Sequence, residues 1–166
     1  TGRLGNVQVS IDGIDAESHD IVRGKGSLAK AVRGIEILRR HGINTAVRVT
    51  IHKYNYNRLE EIAAFLLEEI GLPSFSTNAA SHLGTCRKNK NTLQLGVQEF
   101  SDAMATLVSL NEKYNGRISA QAGPLACAKL WTEMKDALDT KKEGLRGCGH
   151  LTSCGGVNGK MAVRIS

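Results

Sequence analysis

The chain has 166 residues, enough to bury one hydrophobic core, so neither a disulfide-stapled miniprotein nor a multidomain chain is expected. Hydrophobic residues at 41% and charged residues at 23% are globular values, and no run approaches the roughly twenty apolar residues of a membrane span. The 22 Lys+Arg against 16 Asp+Glu leave a net charge of +6 that favours an anionic partner, but the basic residues are scattered and aromatics make up only 4%, which disfavours nucleic acid.

The sequence opens at Thr1 and enters an alternating apolar segment within five residues, with no charged leader or cleavage site. The expectation is a piece of a longer protein. Cys86, Cys127, Cys148 and Cys154 all fall in the second half, a placement that reads as thiols or metal ligands in a reducing, cytoplasmic setting.

One unit of strand, connection and amphipathic helix repeats along the chain. The first strand is expected near Val7 to Asp12, and its helix carries Leu28, Val32, Ile35 and Leu38, starting after a Ser27 cap and closing at Gly42. The second strand runs near Thr45 to Ile51. Its helix shows Leu59, Ile62, Ala63, Leu66 and Ile70, with Asn57 and Glu60 at capping spacing and Gly71 with Pro73 as the stop. The third strand, near Ser74 to Ala80, leads through a polar connection from Ser81 to Asn91 into a helix with Phe100, Ala103, Met104, Leu107 and Val108 on one face, ended by Gly116. A short strand at Arg117 to Ala122 and a helix within Leu125 to Leu138 follow. The Gly-rich, basic tail from Asp139 to Ser166 marks a composition shift, so residues 1–122 and 123–166 are read as separate parts.

Strands joined by helices of this length run parallel. In each strand one face is polar: Gln8, Ser10 and Asp12 on the first, Ala46, Arg48 and Thr50 on the second, Ser76 and Asn78 on the third. A parallel sheet covered on both sides reads apolar on both faces, so three polar faces in phase point to an α/β fold that lines a wet or ligand-filled cavity, a partial TIM-like barrel. A solvent-facing edge is the plainer alternative.

Residues 7–66 closely resemble the second half of the barrel in radical S-adenosylmethionine enzymes. The resemblance rests on the Ser-x-Asp-Gly strand end at Ser10 to Gly13, His19-Asp20, Arg23-Gly24, the Gly26-Ser27 helix start, and Gly42 before the next strand. It runs from the fourth barrel strand at Val7 to Gly13, through the sixth strand and its helix, to about residue 115. The branch it resembles includes molybdenum-cofactor, haem and quinone-cofactor proteins and sulfatase-maturating enzymes. Cys148 and Cys154, with five residues between them and followed by GGVNGKMAVRIS, resemble the start of the SPASM extension, which binds auxiliary [4Fe-4S] clusters. Two thiolates cannot hold a cubane alone. The CxxxCxxC loop of the catalytic cluster does not occur in this sequence, so the chain by itself is expected to be inactive.

The resemblance implies S-adenosylmethionine and [4Fe-4S] clusters as cofactors, a cofactor precursor or peptide as substrate, and ferredoxin or flavodoxin as electron donor. Molybdenum or tungsten cofactor maturation is the favoured sub-class. The resemblance assigns Ser10 to the cofactor's ribose or methionine end, makes Arg23 a further cofactor-binding candidate, and puts Asp12 toward substrate and Cys148 and Cys154 as metal ligands. Arg48, a charge in an otherwise apolar strand, reads first as binding a substrate or cofactor carboxylate, and Thr50 and Asn78 are weaker cofactor-binding candidates on the same face. Each has a structural alternative. Asp12-Gly13 is also strand-end turn chemistry. The Arg23 guanidinium could meet a carboxylate together with the free N–H groups of the following helix, and its alternative is a solvated surface residue; the alternative for Arg48 is half of an ion pair. Cys148, His150 and Cys154 also raise a zinc-binding module, although the cysteine spacing is long for zinc. A non-catalytic anion- or nucleotide-binding α/β module competes with the enzyme, and the open sheet edges of half a barrel predict self-association.

Overall fold

The computed structural model describes residues 5–80 and 90–139. Four strands, β1 (Asn6–Ser10), β2 (Asn44–Ile51), β3 (Phe75–Ala79) and β4 (Ile118–Ala120), form one sheet in the order β1-β2-β3-β4, every neighbouring pair parallel. Strands laid down in sequence order without reversal wind as a barrel wall does, whereas a doubly wound sheet changes direction partway. The α/β architecture of repeated parallel units is therefore as expected.

Between β1 and β2 the chain makes a π-helical turn at Ala16–Asp20, the single turn α1 (Ile21–Arg23) and the long helix α2 (Ser27–Arg40). Helix α3 (Leu59–Ala64) passes directly into a π-helical stretch at Phe65–Glu69 before β3. The turn α4 (Lys90–Leu93) and helix α5 (Val97–Lys113) precede β4, and α6 (Pro124–Asp139) follows it. Contacts divide the chain into Thr1–Lys129 and Leu130–Ser166, and all four strands belong to the first unit.

The helices cover one face of the sheet. On β2, Thr45, Val47, Val49 and Ile51 are buried, while Asn44, Ala46, Arg48 and Thr50 are exposed or half-buried. Into the buried face pack Ile35 of α2, Leu59, Ile62 and Ala63 of α3, Leu66 of the π-helical stretch, and Ala103, Leu107 and Leu110 of α5. Apolar burial of this kind supplies most of the folding free energy. At the other end of the strands, Arg117 donates to the carbonyls of Leu72 and Pro73, and the Tyr114 hydroxyl donates to Glu68 at 2.6 Å.

Three local expectations are corrected. Ser27 is the first residue of α2 and not its cap; the N–H groups of Gly26 and Leu28 and the Ser27 hydroxyl all donate to the carboxylate of Asp20, at 2.6–3.0 Å. Asn57 does not cap α3 either. That position belongs to Arg58, whose guanidinium reaches Glu61 on α3 and Asp15 in the β1 loop, so a bridge between loops does the work expected of a local cap. The inward face of α5 runs through Phe100, Ala103, Met104, Leu107 and Leu110, which leaves Val108 among the exposed hydrophobics.

Ile62→Ala, at a buried site on α3, is expected to lower the unfolding free energy by about 2–5 kcal/mol, measured by denaturant titration. Val108→Ala should change it by less than about 0.5 kcal/mol; comparable losses from the two would contradict this assignment of the α5 face.

Candidate functional site

The polar face is ordered by the strand register. Ser10 pairs with Arg48, Arg48 with Ser76, and Ser76 with Ser119, so these four form one row across the sheet. Toward the carboxyl ends of the strands Thr50 pairs with Asn78. Asp12 joins them through its carboxylate, which accepts from the Thr50 backbone N–H at 2.7 Å. Strand β1 stops at Ser10, so this carboxylate stands in for a main-chain carbonyl and extends the ladder by one bond.

Asp12 is 1% exposed and fully engaged. Its second carboxylate oxygen accepts from Arg23 Nε in a close ion pair, its N–H donates to His19 Nδ1 at 2.9 Å, and its carbonyl accepts from Asn55 Nδ2 at 2.7 Å. A buried carboxylate is tolerated only with such partners. Gly13 beside it has no room for a side chain, because a Cβ there would meet the Ser18 side chain and carbonyl carbon.

Arg23 and the N–H groups at the N-terminus of α2 have different internal carboxylates. Asp20 takes those N–H groups and Arg23 turns to Asp12 instead, with a longer contact of 3.4 Å from Nη2 to the Thr50 hydroxyl. The Arg23 side chain is still 32% exposed, which leaves its outer edge open to a ligand. On β2 the Arg48 Nε donates to the Ser76 hydroxyl at 3.4 Å and its Nη2 to Gln121 Oε1 at 3.3 Å. No carboxylate pairs with Arg48 among the described residues, so the ion-pair alternative has no partner there. The Oδ1 of Asn78 is covered from solvent yet has no hydrogen-bond donor. Gly123 closes over the end of β3, and at its φ of +87° a Cβ would sit 2.7 Å from the Ala79 nitrogen.

Beneath this face lie two residues, Asn55 and His52, that the sequence pattern does not single out. Asn55, 0% exposed, donates to the carbonyls of Asp12 and Thr50 and accepts from the His52 N–H, tying the ends of β1 and β2 together. His52 Nδ1 accepts from the Tyr54 N–H at 3.2 Å, as His19 Nδ1 does from Asp12. An imidazole that accepts at Nδ1 is neutral with its proton on Nε2. His52 Nε2 therefore cannot also accept from Asn55, whose two amide protons are already used. The signal available in the sequence was His52-x-x-Asn55 immediately after a strand, a spacing suited to side-chain capping of a turn.

Burial pushes both His19 and His52 below the ordinary histidine value. Asp15 moves down to about 2, chiefly because the Ser18 hydroxyl donates to it, with Arg58 adding to the shift.

Cys148, Cys154 and His150, on which the cluster and zinc readings rest, lie outside the described residues, as does Cys86. Cys127 is exposed, and among the described residues no group of three or more His, Cys, Asp or Glu is arranged to hold a metal ion. No helix among them is long and apolar enough to cross a membrane.

Asp12→Ala is expected to cost about 2–4 kcal/mol, because it leaves the Thr50 N–H without an acceptor and removes the Arg23 partner. A denaturant midpoint unchanged from the parent would contradict the role assigned to Asp12. The unfolded chain protonates its histidines near about pH 6.5, while the folded chain resists at His19 and His52. Their contribution to stability is thus complete above that pH and is lost as the pH falls below it. The melting temperature should decline from pH 7 to pH 5, with a shallower slope in His19→Gln/His52→Gln.

Residues 2–66 match the family model described as the Radical SAM superfamily. Over 60 residues the chain is 45% identical to the Mycofactocin maturase MftC of Mycolicibacterium smegmatis (strain ATCC 700084 / mc(2)155), covering 36% of this chain and 15% of that protein. It is 32% identical over 82 residues to the Antilisterial bacteriocin subtilosin biosynthesis protein AlbA of Bacillus subtilis (strain 168), covering 49% of this chain and 18% of that protein. The chain spans less than a fifth of the length of these curated relatives. The similarity to the radical SAM superfamily thus lies in residues 2–66, the stretch that holds β1, α2 and β2.

Proposed function

We propose that the chain forms part of a radical SAM maturase that modifies a cofactor precursor or a peptide. The observation that carries this reading is a coincidence in place: the stretch matched by the radical SAM model, residues 2–66, holds Ser10, Asp12, Arg23, Arg48 and Thr50 of the polar strand-end face. The relatives' names, a mycofactocin maturase and a bacteriocin biosynthesis protein, favour cofactor or peptide maturation. The molybdenum or tungsten sub-class finds no support among them and is not carried forward.

The side chains on this face fit the polar parts of S-adenosylmethionine. The open edge of the Arg23 guanidinium would take the methionine carboxylate, and the hydroxyls of Ser10 and Thr50 the ribose or the amino end. Asp12 holds Arg23 in place. A [4Fe-4S] cluster is a different matter: the described residues offer no set of thiolates for one, so every cluster ligand would come from elsewhere. When bound at its cluster, the cofactor would supply hydrogen-abstracting radical chemistry, and this part of the fold would bind and orient it.

Cys148 and Cys154 as ligands of an auxiliary cluster in a SPASM-like segment, a division of the chain at residues 122 and 123, a ferredoxin or flavodoxin donor and a cytoplasmic location complete the proposal. The anion-binding alternative is weakened at its best candidate, since Asp20 fills the N-terminus of α2.

Calorimetric titration of the chain with S-adenosylmethionine tests the reading. Binding is expected, weakened about 10-fold or more by Arg23→Gln and by a smaller factor in Ser10→Ala. No binding, or equal binding by parent and variants, would overturn it. Because β1 and β4 are the outer strands of the sheet, the chain should also self-associate; a monomer at every concentration in light scattering would count against that part.

A further inference from the structure

The charges on the polar face do not cancel. Asp12 is matched by Arg23, whereas Arg48 keeps its full charge: its two neighbours, the Ser76 hydroxyl and the Gln121 amide oxygen, are neutral and stand at 3.4 and 3.3 Å, the long end of hydrogen bonding. Such partners orient a guanidinium without neutralising it. Arg48 is also half-buried on the strand, where an uncompensated charge is costly.

The cofactor proposed for this face does not supply the missing charge. S-adenosylmethionine brings one carboxylate, one ammonium and one sulfonium, a net positive charge, so its arrival leaves the face more cationic. A second anion would compensate it. On the neighbouring strand the covered Oδ1 of Asn78 lacks a donor, and Asn78 lies in register with Thr50, two residues along β2 from Arg48. A planar anion beside an N–H donor complements both features. A guanidinium matches a carboxylate in two parallel bonds, and an α-carboxylate always has a nitrogen next to it.

We infer that Arg48, oriented by Ser76 and Gln121, anchors a carboxylate of the substrate, and that Asn78 takes the N–H adjacent to it. The substrate class is an amino acid or a peptide presenting an α-carboxylate. This rests on the reading of the face as a cofactor site, but it assigns Arg48 and Asn78 to the substrate and leaves Ser10, Arg23 and Thr50 to the cofactor.

The test titrates the full chain, saturated with S-adenosylmethionine, with acetyl-glycyl-leucine, with its carboxamide and with free leucine. The acid should bind at least about 10-fold more tightly than the amide. Arg48→Gln should abolish that preference and Arg48→Lys should restore part of it, while the variants keep the parent's circular dichroism and its affinity for S-adenosylmethionine within about twofold. Preference for the peptide acid over leucine identifies a peptide, and the reverse a free amino acid. Equal binding of acid and amide, or binding of neither, overturns the inference without recourse to any variant. Should Arg48→Gln lose S-adenosylmethionine itself, Arg48 belongs to the cofactor: the inference falls and the proposed function stands. If the parent fails to bind S-adenosylmethionine, it is the proposed function that fails, and the acid–amide comparison is then read without cofactor.

Discussion

A carboxylate taken out of water at the end of a strand costs several kcal/mol unless it is paired and its lone pairs are filled. Asp12 meets that condition with the Arg23 guanidinium on one oxygen and the Thr50 N–H on the other, while its own N–H and carbonyl go to His19 and Asn55. Those four partners come from the loop after β1, from β2 and from the loop after β2. Satisfying one residue, side chain and backbone, therefore fixes how two strand ends and two loops sit together. The polar face inherits its geometry from this knot.

The same logic repeats one turn further along. Asp20 leaves the π-helical turn to accept from Gly26, Ser27 and Leu28, which sets the start of α2 and with it the entry of Ile35 into the core. Asp15 and Arg58 bridge the loops after β1 and β2 on the solvent side. The Asp15–Arg58 bridge is exposed enough that its worth is a fraction of a kcal/mol, whereas the Asp20 cap acts on free helix N–H groups and counts for more. Rigid strand ends carrying side chains whose rotamers are held from behind are what a binding site requires.

Much of this was legible in the sequence because period and face are local properties. Alternation located three of the strands within one or two residues, and the polar faces of β1, β2 and β3 were assigned in phase from it; the register then aligned Ser10, Arg48 and Ser76 in one row. What was not legible depends on which side chain the folded loops bring to each partner. Asp20 caps a helix six residues on, Arg58 reaches Asp15 across 43 positions, and Asn55 reaches Asp12 across the same span. Ser27 and Asn57 were plausible caps by composition and lost to residues brought in by the fold. Val108 sits within the apolar spacing of α5 yet falls at the margin of its stripe, where Leu110 provides the better inward position.

The contrast between the two arginines of the face follows from where each can find a counter-ion. Arg23 lies in a loop and can turn; Asp12 is within its reach and Asp20 is already committed, so the pair forms and the charge is spent inside the protein. Arg48 is fixed on a strand between β1 and β3, and the residues beside it in register are Ser10 and Ser76, both neutral. A strand position has little freedom to seek a partner, so the charge placed there by the sequence stays on the polar face of the sheet. A fold that needed only stability would do better with a neutral residue at that position, and this is the ground on which Arg48 is inferred to serve recognition of an anion.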